Sequence, residues 1–411
     1  MARAKQVLLD GVRLNDFIAT GVLAETLPMA LVKSVLEKNG KRTLRGRKLP
    51  REFLVYYVIA MALFSNVNIR SVLKALLEGL SFLFPSVCLG AACEAAISQG
   101  RERLGAGVMK DLFDLVCKPV AAKDSRGAWY RGWRLVAIDG SHFDLPDEKA
   151  VAEEFPKHSN GIESPYPQLR FVALVELGTR CMFAVAQGND NDSEKRLAER
   201  VIPRLGPDML LLGDRYHMGY DMFAKVTSTG AKALFRAKAN FRLDPIRLLA
   251  DGSCLAKIYS DRADRRKDGG TIVRVVEFRV TENGKAGKEI YRLVTNILDP
   301  AMAPAMELAS LYCERWGIET TFAELKTHMK LPGHALRSKR PDLVKQEFWG
   351  FVLAHYIIRT IMHRAAMAND IDPDNIGFRE TVDIVKRRSA SALPFPPPGK
   401  GFEAALGRST P

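Results

Sequence analysis

Leu135-Val136-Ala137-Ile138-Asp139-Gly140 is a short apolar run that stops on an acid and a glycine. Met209-Leu210-Leu211-Leu212-Gly213-Asp214 ends on the same two residue types, and its acid lies 75 residues after the first. Four consecutive apolar residues in each run predict a strand buried on both faces. Between them, Leu169 to Leu177 is apolar and β-rich, and Cys181 to Ala186 follows the turn Gly178-Thr179-Arg180, so this pair reads as a hairpin. Ser193 to Leu205 opens on Asp192-Ser193, an N-cap signal, and spaces Leu197, Val201, Ile202 and Leu205 as a helix does. Two antiparallel strands, a helix and another buried strand make an α/β sheet and not a helical bundle.

The flanks have a different texture. Residues 52–118 are dense in Ala, Leu, Val and Met, and Phe53 to Phe64, Ile69 to Leu80 and Met109 to Cys117 predict buried helices. Ala91 to Leu104 is helix-like and carries Arg101 and Arg103. An all-helical N-terminal domain is expected. Further on, Leu234 to Arg236, Thr271 to Val280 and Tyr291 to Thr295 are strand-like, separated by turns such as Asp268-Gly269-Gly270 and Asn283-Gly284. One long helix is expected from Pro304 to about Lys330, and a second from Pro341 to about Met367. The tail, Ser389 to Pro411, holds Pro394-Phe395-Pro396-Pro397-Pro398-Gly399 and predicts disorder.

At 411 residues the chain has room for two to three domains, and 47% apolar residues support a real core. Its formal net charge is +14, so the cheapest partner to infer is a polyanion. A spanning helix needs about 20 apolar residues, and the longest apolar stretch, Phe53 to Phe64, is shorter; no membrane role is expected. No secretory signal is visible. Cys88, Cys93, Cys117, Cys181, Cys254 and Cys313 form no C-x-x-C pair and read as buried free thiols of a cytoplasmic protein. Between 33 and 51, Lys33, Lys38, Lys41, Arg42, Arg45, Arg47, Lys48 and Arg51 stand against Glu37 alone, which suits either a solvated face or phosphate contact. His142 and His217, close in sequence to Asp139 and Asp214, read as surface or supporting histidines.

On the expected 304–330 helix, Tyr312, Arg315, Glu319 and Lys326 are spaced by three, four and seven residues and fall on one stripe. Spacing alone favours a solvated charged face, where Glu–Arg and Glu–Lys pairs stabilise little. The two aspartates change that weighting. Each sits at the end of a buried run beside a glycine, and strand ends are where ligand-binding residues project in open α/β sheets. A carboxylate there is costly unless something positive is bound. Asp139, Asp214 and Glu319 together make an all-oxygen donor set of the kind that hard divalent ions such as Mg²⁺ or Mn²⁺ prefer.

The segments Ala137-Ile138-Asp139-Gly140-Ser141, Leu212-Gly213-Asp214-Arg215-Tyr216 and Tyr312-x2-Arg315-x3-Glu319-x6-Lys326, followed by Thr327-His328, resemble the three signatures of bacterial insertion-sequence transposases of the DDE type, most closely the insertion-sequence-four family. The likeness extends to Arg47-Lys48-Leu49-Pro50, to Ile97–Gly105 with Arg101 and Arg103, and to Leu336-Arg337-Ser338 and Gln346-Glu347. It covers nearly the whole chain apart from the first 20 residues and the Pro-rich tail. Gly100 stands where the family often has alanine.

The resemblance implies an α/β fold with an RNase H-like catalytic core and a strand-rich insertion between the second aspartate and the glutamate. The expected organisation is a helical DNA-binding domain over 1–125, the first part of the core over 126–233, the insertion over 234–300, the second part of the core with the glutamate over 301–370, and a partly disordered tail over 371–411. It implies cut-and-paste transposition by a homodimer on paired terminal inverted repeats of double-stranded DNA, in a nucleoid-associated cytoplasmic setting. Two divalent ions, Mg²⁺ or Mn²⁺, would be held by Asp139, Asp214 and Glu319, with Asp139 bridging both. Tyr312, Arg315 and Lys326 would hold phosphates near the cut end. A nuclease that cuts without joining, and a non-catalytic DNA-binding relic, remain as alternatives.

Overall fold

The structure, a computed structural model, describes residues 26–43, 49–68, 70–73, 94–159, 163–282, 285–330 and 333–390. Its centre is a mixed sheet of eleven strands in which β5-β4-β2-β6-β7 run side by side. Strands β1 (Trp129–Tyr130) and β2 (Trp133–Asp144) are followed by β3 (Lys157–Ser159), β4 (Glu163–Glu176) and β5 (Cys181–Gly188). Then come β6 (Met209–Gly213) and β7 (Lys232–Arg236). β4 pairs antiparallel with β2 and β5, while β2–β6 and β6–β7 are parallel. Three antiparallel strands followed by two parallel ones fit an RNase H-like core.

The apolar runs are continuous because both faces of the sheet are covered. Leu135, Ala137, Ala173 and Val175 point into one hydrophobic cluster, and Val136, Ile138, Val172 and Leu174 point into the other. The second face is covered by the helices Glu194–Val201 and Tyr220–Ser228. The first is covered by the helix Pro341–Ala368, which also packs on Arg51–Leu63 and Ala106–Val116. The helices before residue 117 thus share one core with the sheet. Arg101 fastens them: buried, it donates to Gln346 Oε1 (3.3 Å), Ser338 Oγ (3.0 Å) and the Leu343 carbonyl (2.9 Å).

Beyond β7, strands β8 (Asp244–Leu248), β9 (Cys254–Ile258), β10 (Thr271–Glu282) and β11 (Lys285–Thr295) extend the sheet, β11 pairing with β7. The sequence patterning did not reveal β8 and β9: both have five residues, β8 is largely exposed, and β9 is half-buried with only Ala256 and Ile258 fully inside.

Several expectations are corrected. The single helix over 304–330 is broken into Ala305–Tyr312, a tight 3₁₀ turn over Cys313–Trp316, Gly317–Ala323 and a widened π turn over Glu324–Met329. The widening coincides with a buried acid: Glu324 accepts from Arg359 and lies 3.1 Å from His355 Nε2. π turns mark such insertions into a helical ladder. Trp316, on this segment, is 58% exposed despite its large apolar ring. The helix after Ser193 ends at Val201 and closes with a 3₁₀ turn containing Pro203. Residues 371–390 are not tail: Pro373–Asn375 and the helix Phe378–Ala390 pack back, burying Phe378, Val382 and Val385. Of the thiols, Cys117 and Cys181 are buried, but Cys254 is half-buried and Cys313 exposed. Arg45, Arg47, Lys48, most of Ile69–Leu80, Cys88, Cys93 and the Pro-rich tail lie outside the described residues.

Candidate active site

The parallel register sets the site. Ile138 is paired with Gly213 in the last rung of the β2–β6 ladder, so the next residues, Asp139 and Asp214, come side by side where β6 ends; β2 itself runs on to Asp144 against β4, so Asp139 lies within its strand and not at the strand end expected from the sequence. Both glycines permit close approach. A β-carbon on Gly140 would come within 2.5 Å of the Glu194 carboxyl carbon, and one on Gly213 would overlap the Phe235 ring.

The two aspartates differ in their surroundings. Asp139 Oδ1 accepts the Gly140 N–H (2.8 Å), and its carboxyl is raised above the ordinary value by burial, with the neighbouring charge of Asp214 adding to it. For Asp214, burial pushes upward but is outweighed. His217 Nδ1 lies 3.0 Å from Oδ1, the N–H groups of Tyr216 (2.9 Å) and His217 (3.1 Å) donate to the same oxygen, and the carboxyl ends below its usual range.

The 312–326 segment lies across these positions. The Tyr312 hydroxyl donates to the Gly213 carbonyl (3.3 Å). Arg315, 8% exposed, reaches Asp139 Oδ2 (3.5 Å) and donates to Glu319 Oε1 (3.0 Å), so one guanidinium joins the two carboxylates. Its Nε makes no hydrogen bond. Lys326 Nζ donates to Ser141 Oγ (3.1 Å). Tyr312 and Arg315 are buried, Lys326 is half-buried and Glu319 is exposed, so this stripe is not a uniformly solvated face. A cleft of about 290 Å³ opens beside Asp214 and Arg315, lined also by Arg215, Arg236, Tyr291 and Trp316. Its lining mixes carboxylates with three guanidinium groups, and such cations can balance the charge of a phosphodiester.

Likeness to known proteins gives this chain its context. Residues 18–114 match the family described as "Insertion element 4 transposase N-terminal", and residues 131–357 match "Transposase DDE domain". The Escherichia coli (strain K12) transposase InsG for insertion sequence element IS4 is 30% identical over 373 residues, 89% of this chain and 82% of that protein. The chain belongs to the insertion-sequence-four family of DDE transposases. The putative transposase InsZ of the same strain is 25% identical over 212 residues, 51% of this chain and 68% of that one. Among solved structures, a piggyBac transposase synaptic complex with hairpin DNA aligns at a TM-score of 0.47 and 10% identity, covering 92% of this chain and 80% of that one.

A member of this family is a DDE-type transposase, an enzyme that acts on DNA and uses divalent metal ions. The residues present fit such ions: the carboxylates of Asp139 and Glu194 approach one another beside β2, and Asp139 is held there at an electrostatic cost that a cation relieves. Among the described residues no helix is long and apolar enough to cross a membrane.

Glu194 escaped the sequence reading, whereas His217, read as a surface or supporting histidine, is of the supporting kind, its Nδ1 3.0 Å from Asp214 Oδ1. Glu194 and His217 each place a ligand atom with Asp139 in a group whose atoms lie within 4.8 Å of one another, and neither Asp214 nor Glu319, the other two acids expected to hold metal, is part of that group. His217 is buried, not on the surface, and His142 is exposed. A signal for His217 was available, since Asp214-x-x-His217 is a spacing at which a side chain can return to its own turn. None existed for Glu194, which comes to Asp139 only through the packing of its helix.

Proposed function

We propose that this transposase cuts DNA at insertion-sequence ends and joins them to target DNA with Asp139, Asp214 and Glu319 as its catalytic acids. The observation that carries the reading is the register of β2 and β6, which sets Asp139 beside Asp214, together with the Arg315 bridge from Asp139 to Glu319. The three acids hold two Mg²⁺ or Mn²⁺ ions. Such ions activate an attacking oxygen, from water or a 3′-hydroxyl, and neutralise the leaving one.

The chain's other residues position the DNA. Arg315 offers a planar fork to a phosphate, and Lys326 a point charge. Burial lowers the Lys326 ammonium, which favours exchange of Ser141 for a charged partner. Burial also pushes the Tyr312 hydroxyl up to about 12, so it stays protonated, a hydrogen-bond donor and not a nucleophile. The helices before residue 117 form the DNA-binding N-terminal unit, β8–β11 the insertion between the second aspartate and the glutamate, and two copies act on paired ends in the nucleoid.

The test uses labelled end DNA with the full chain and Mg²⁺. Nicking at the end followed by covalent joining to a target plasmid is expected. Cutting with no joined product would leave a nuclease instead.

A further inference from the structure

Glu194 opens the helix Glu194–Val201, capped by Ser193, whose hydroxyl accepts the Arg196 N–H (3.2 Å). Its carboxylate is laid over Gly140, next to Asp139, in space that any side chain at 140 would fill. Glu194 is raised above the ordinary carboxylate range by burial, with Asp139 and Asp214 adding to the rise. Two half-buried acids are thus held together against their own repulsion.

The independent observation is His217. It is fully buried, and its Nδ1 lies against Asp214 Oδ1. When Nδ1 carries the proton and donates it to Asp214, Nε2 presents a lone pair. That atom faces Glu194 Oε1 at 3.3 Å, yet makes no hydrogen bond. A lone pair and a carboxylate facing each other in a buried site call for a positive charge between them. A carboxylate holding one imidazole nitrogen so that the other is free is also how metal-binding histidines are oriented.

We propose that Asp139, Glu194 and His217 Nε2 form a cation site of mixed oxygen and nitrogen donors that takes Mn²⁺ in preference to Mg²⁺. It rests on the reading of Asp139 as a cation ligand and adds two residues to it. Ligand atoms of the three residues lie within 4.8 Å of one another. Donors about 2.2 Å from one ion stand at most about 4.4 Å apart, so small side-chain rotations close the set. The imidazole decides the ion: Mg²⁺ keeps to oxygen and water, whereas nitrogen donors suit transition-metal dications.

The test is titration of the full chain with Mn²⁺ alone, followed by electron paramagnetic resonance, with pulsed detection of ¹⁴N coupling on the bound ion. Wild type should show ¹⁴N coupling that His217→Gln abolishes. Glu194→Gln should weaken Mn²⁺ binding by about tenfold or more, and Mg²⁺ should displace the ion only at large excess. Bound Mn²⁺ without ¹⁴N coupling in wild type, or with coupling that persists in His217→Gln, overturns the proposal; a proton shared between His217 and Glu194 would then fill the gap. The wild-type spectrum decides this even where a variant fails to fold. Asp139→Asn separates the two levels. If it abolishes Mn²⁺ binding while Glu194→Gln changes it less than about twofold, the mixed site fails and the acid reading stands. If Asp139→Asn leaves binding intact, the acid reading itself fails.

Discussion

Asp139 and Asp214 each stand one residue beyond Ile138 and Gly213, the last paired positions of two neighbouring parallel strands. Their charges therefore act directly on one another, and the two respond differently. Asp214 is satisfied by three donors on one oxygen, while Asp139 has one backbone donor and the more distant Arg315. Asp139 is the acid with most to gain from a bound cation.

Asp139→Asn, Asp214→Asn and Glu319→Gln should each lower end cleavage by about 1,000-fold or more, roughly 4 kcal/mol in the barrier. Binding to end DNA should persist, because each change removes a negative charge from a surface that meets phosphates. Nicking assays and gel shifts on the same preparations check this. Near wild-type nicking by any one variant removes that residue from the catalytic set.

Arg315→Ala and Lys326→Ala should weaken end-DNA binding and flatten its salt dependence, each by about 0.9 in the log–log slope if one phosphate contact is lost. Cleavage should fall too, since a displaced phosphate loses the alignment that attack requires. A merely structural Arg315–Glu319 pair predicts an effect of about 0–1 kcal/mol on stability and an unchanged slope.

Gly140→Ala and Gly213→Ala should part company. At 140 the new methyl meets the flexible end of Glu194, which can swing aside, so thermal stability should hardly change while Mn²⁺ affinity falls. At 213 it meets the buried Phe235 ring, which cannot move freely, and a loss of about 1–3 kcal/mol is expected in denaturant titration. Equal effects of the two substitutions on melting and on Mn²⁺ binding would contradict the packing described.

Glu324 governs acid stability beneath the site. Burial pushes its carboxyl up, but His355 and Arg359 more than reverse this and hold it at about 2, against an ordinary 4.5. A carboxyl lower in the folded than in the unfolded chain stabilises above pH 4.5, and that contribution is lost as pH falls through 4.5 toward 2. It is on the order of 3 kcal/mol. Melting curves of wild type should fall steeply over that window, and Glu324→Gln should be less stable at neutral pH with a shallower fall. Parallel curves would mean that Glu324 is not the group responsible.

The strands that bear the two aspartates were legible because burial on both faces leaves a mark that needs no partner: four apolar residues in a row, ending on an acid. The DDE signatures were legible too, as residue types at set intervals, and they pointed to the family before any geometry was known. The broken 312–326 segment was not legible. Its 3.6-residue spacing describes a straight helix, whereas a buried Glu324 drawn to Arg359 and His355, both from the later helix Pro341–Ala368, accompanies a widened turn. Strand β8 lacked a periodic signal because an exposed strand has little apolar patterning to show, and β9 because five residues with only Ala256 and Ile258 fully buried are too few to show one.

The same division runs through the site. Asp139 and Asp214 stand out by local setting, and Tyr312, Arg315, Glu319 and Lys326, whose spacing alone suited a solvated face, stand out by their resemblance to the family signature. Glu194 does not, since a carboxylate at a helix start occurs on many surfaces, and His217 shows itself only as a neighbour of Asp214, with nothing in the sequence to join it to Asp139. Their meeting with Asp139 arises when the Glu194–Val201 helix packs on the sheet and lays its first side chain over Gly140. Contacts between residues distant in the chain depend on where whole elements dock, and docking is set by the shapes of two packed faces, which no single stretch of sequence contains.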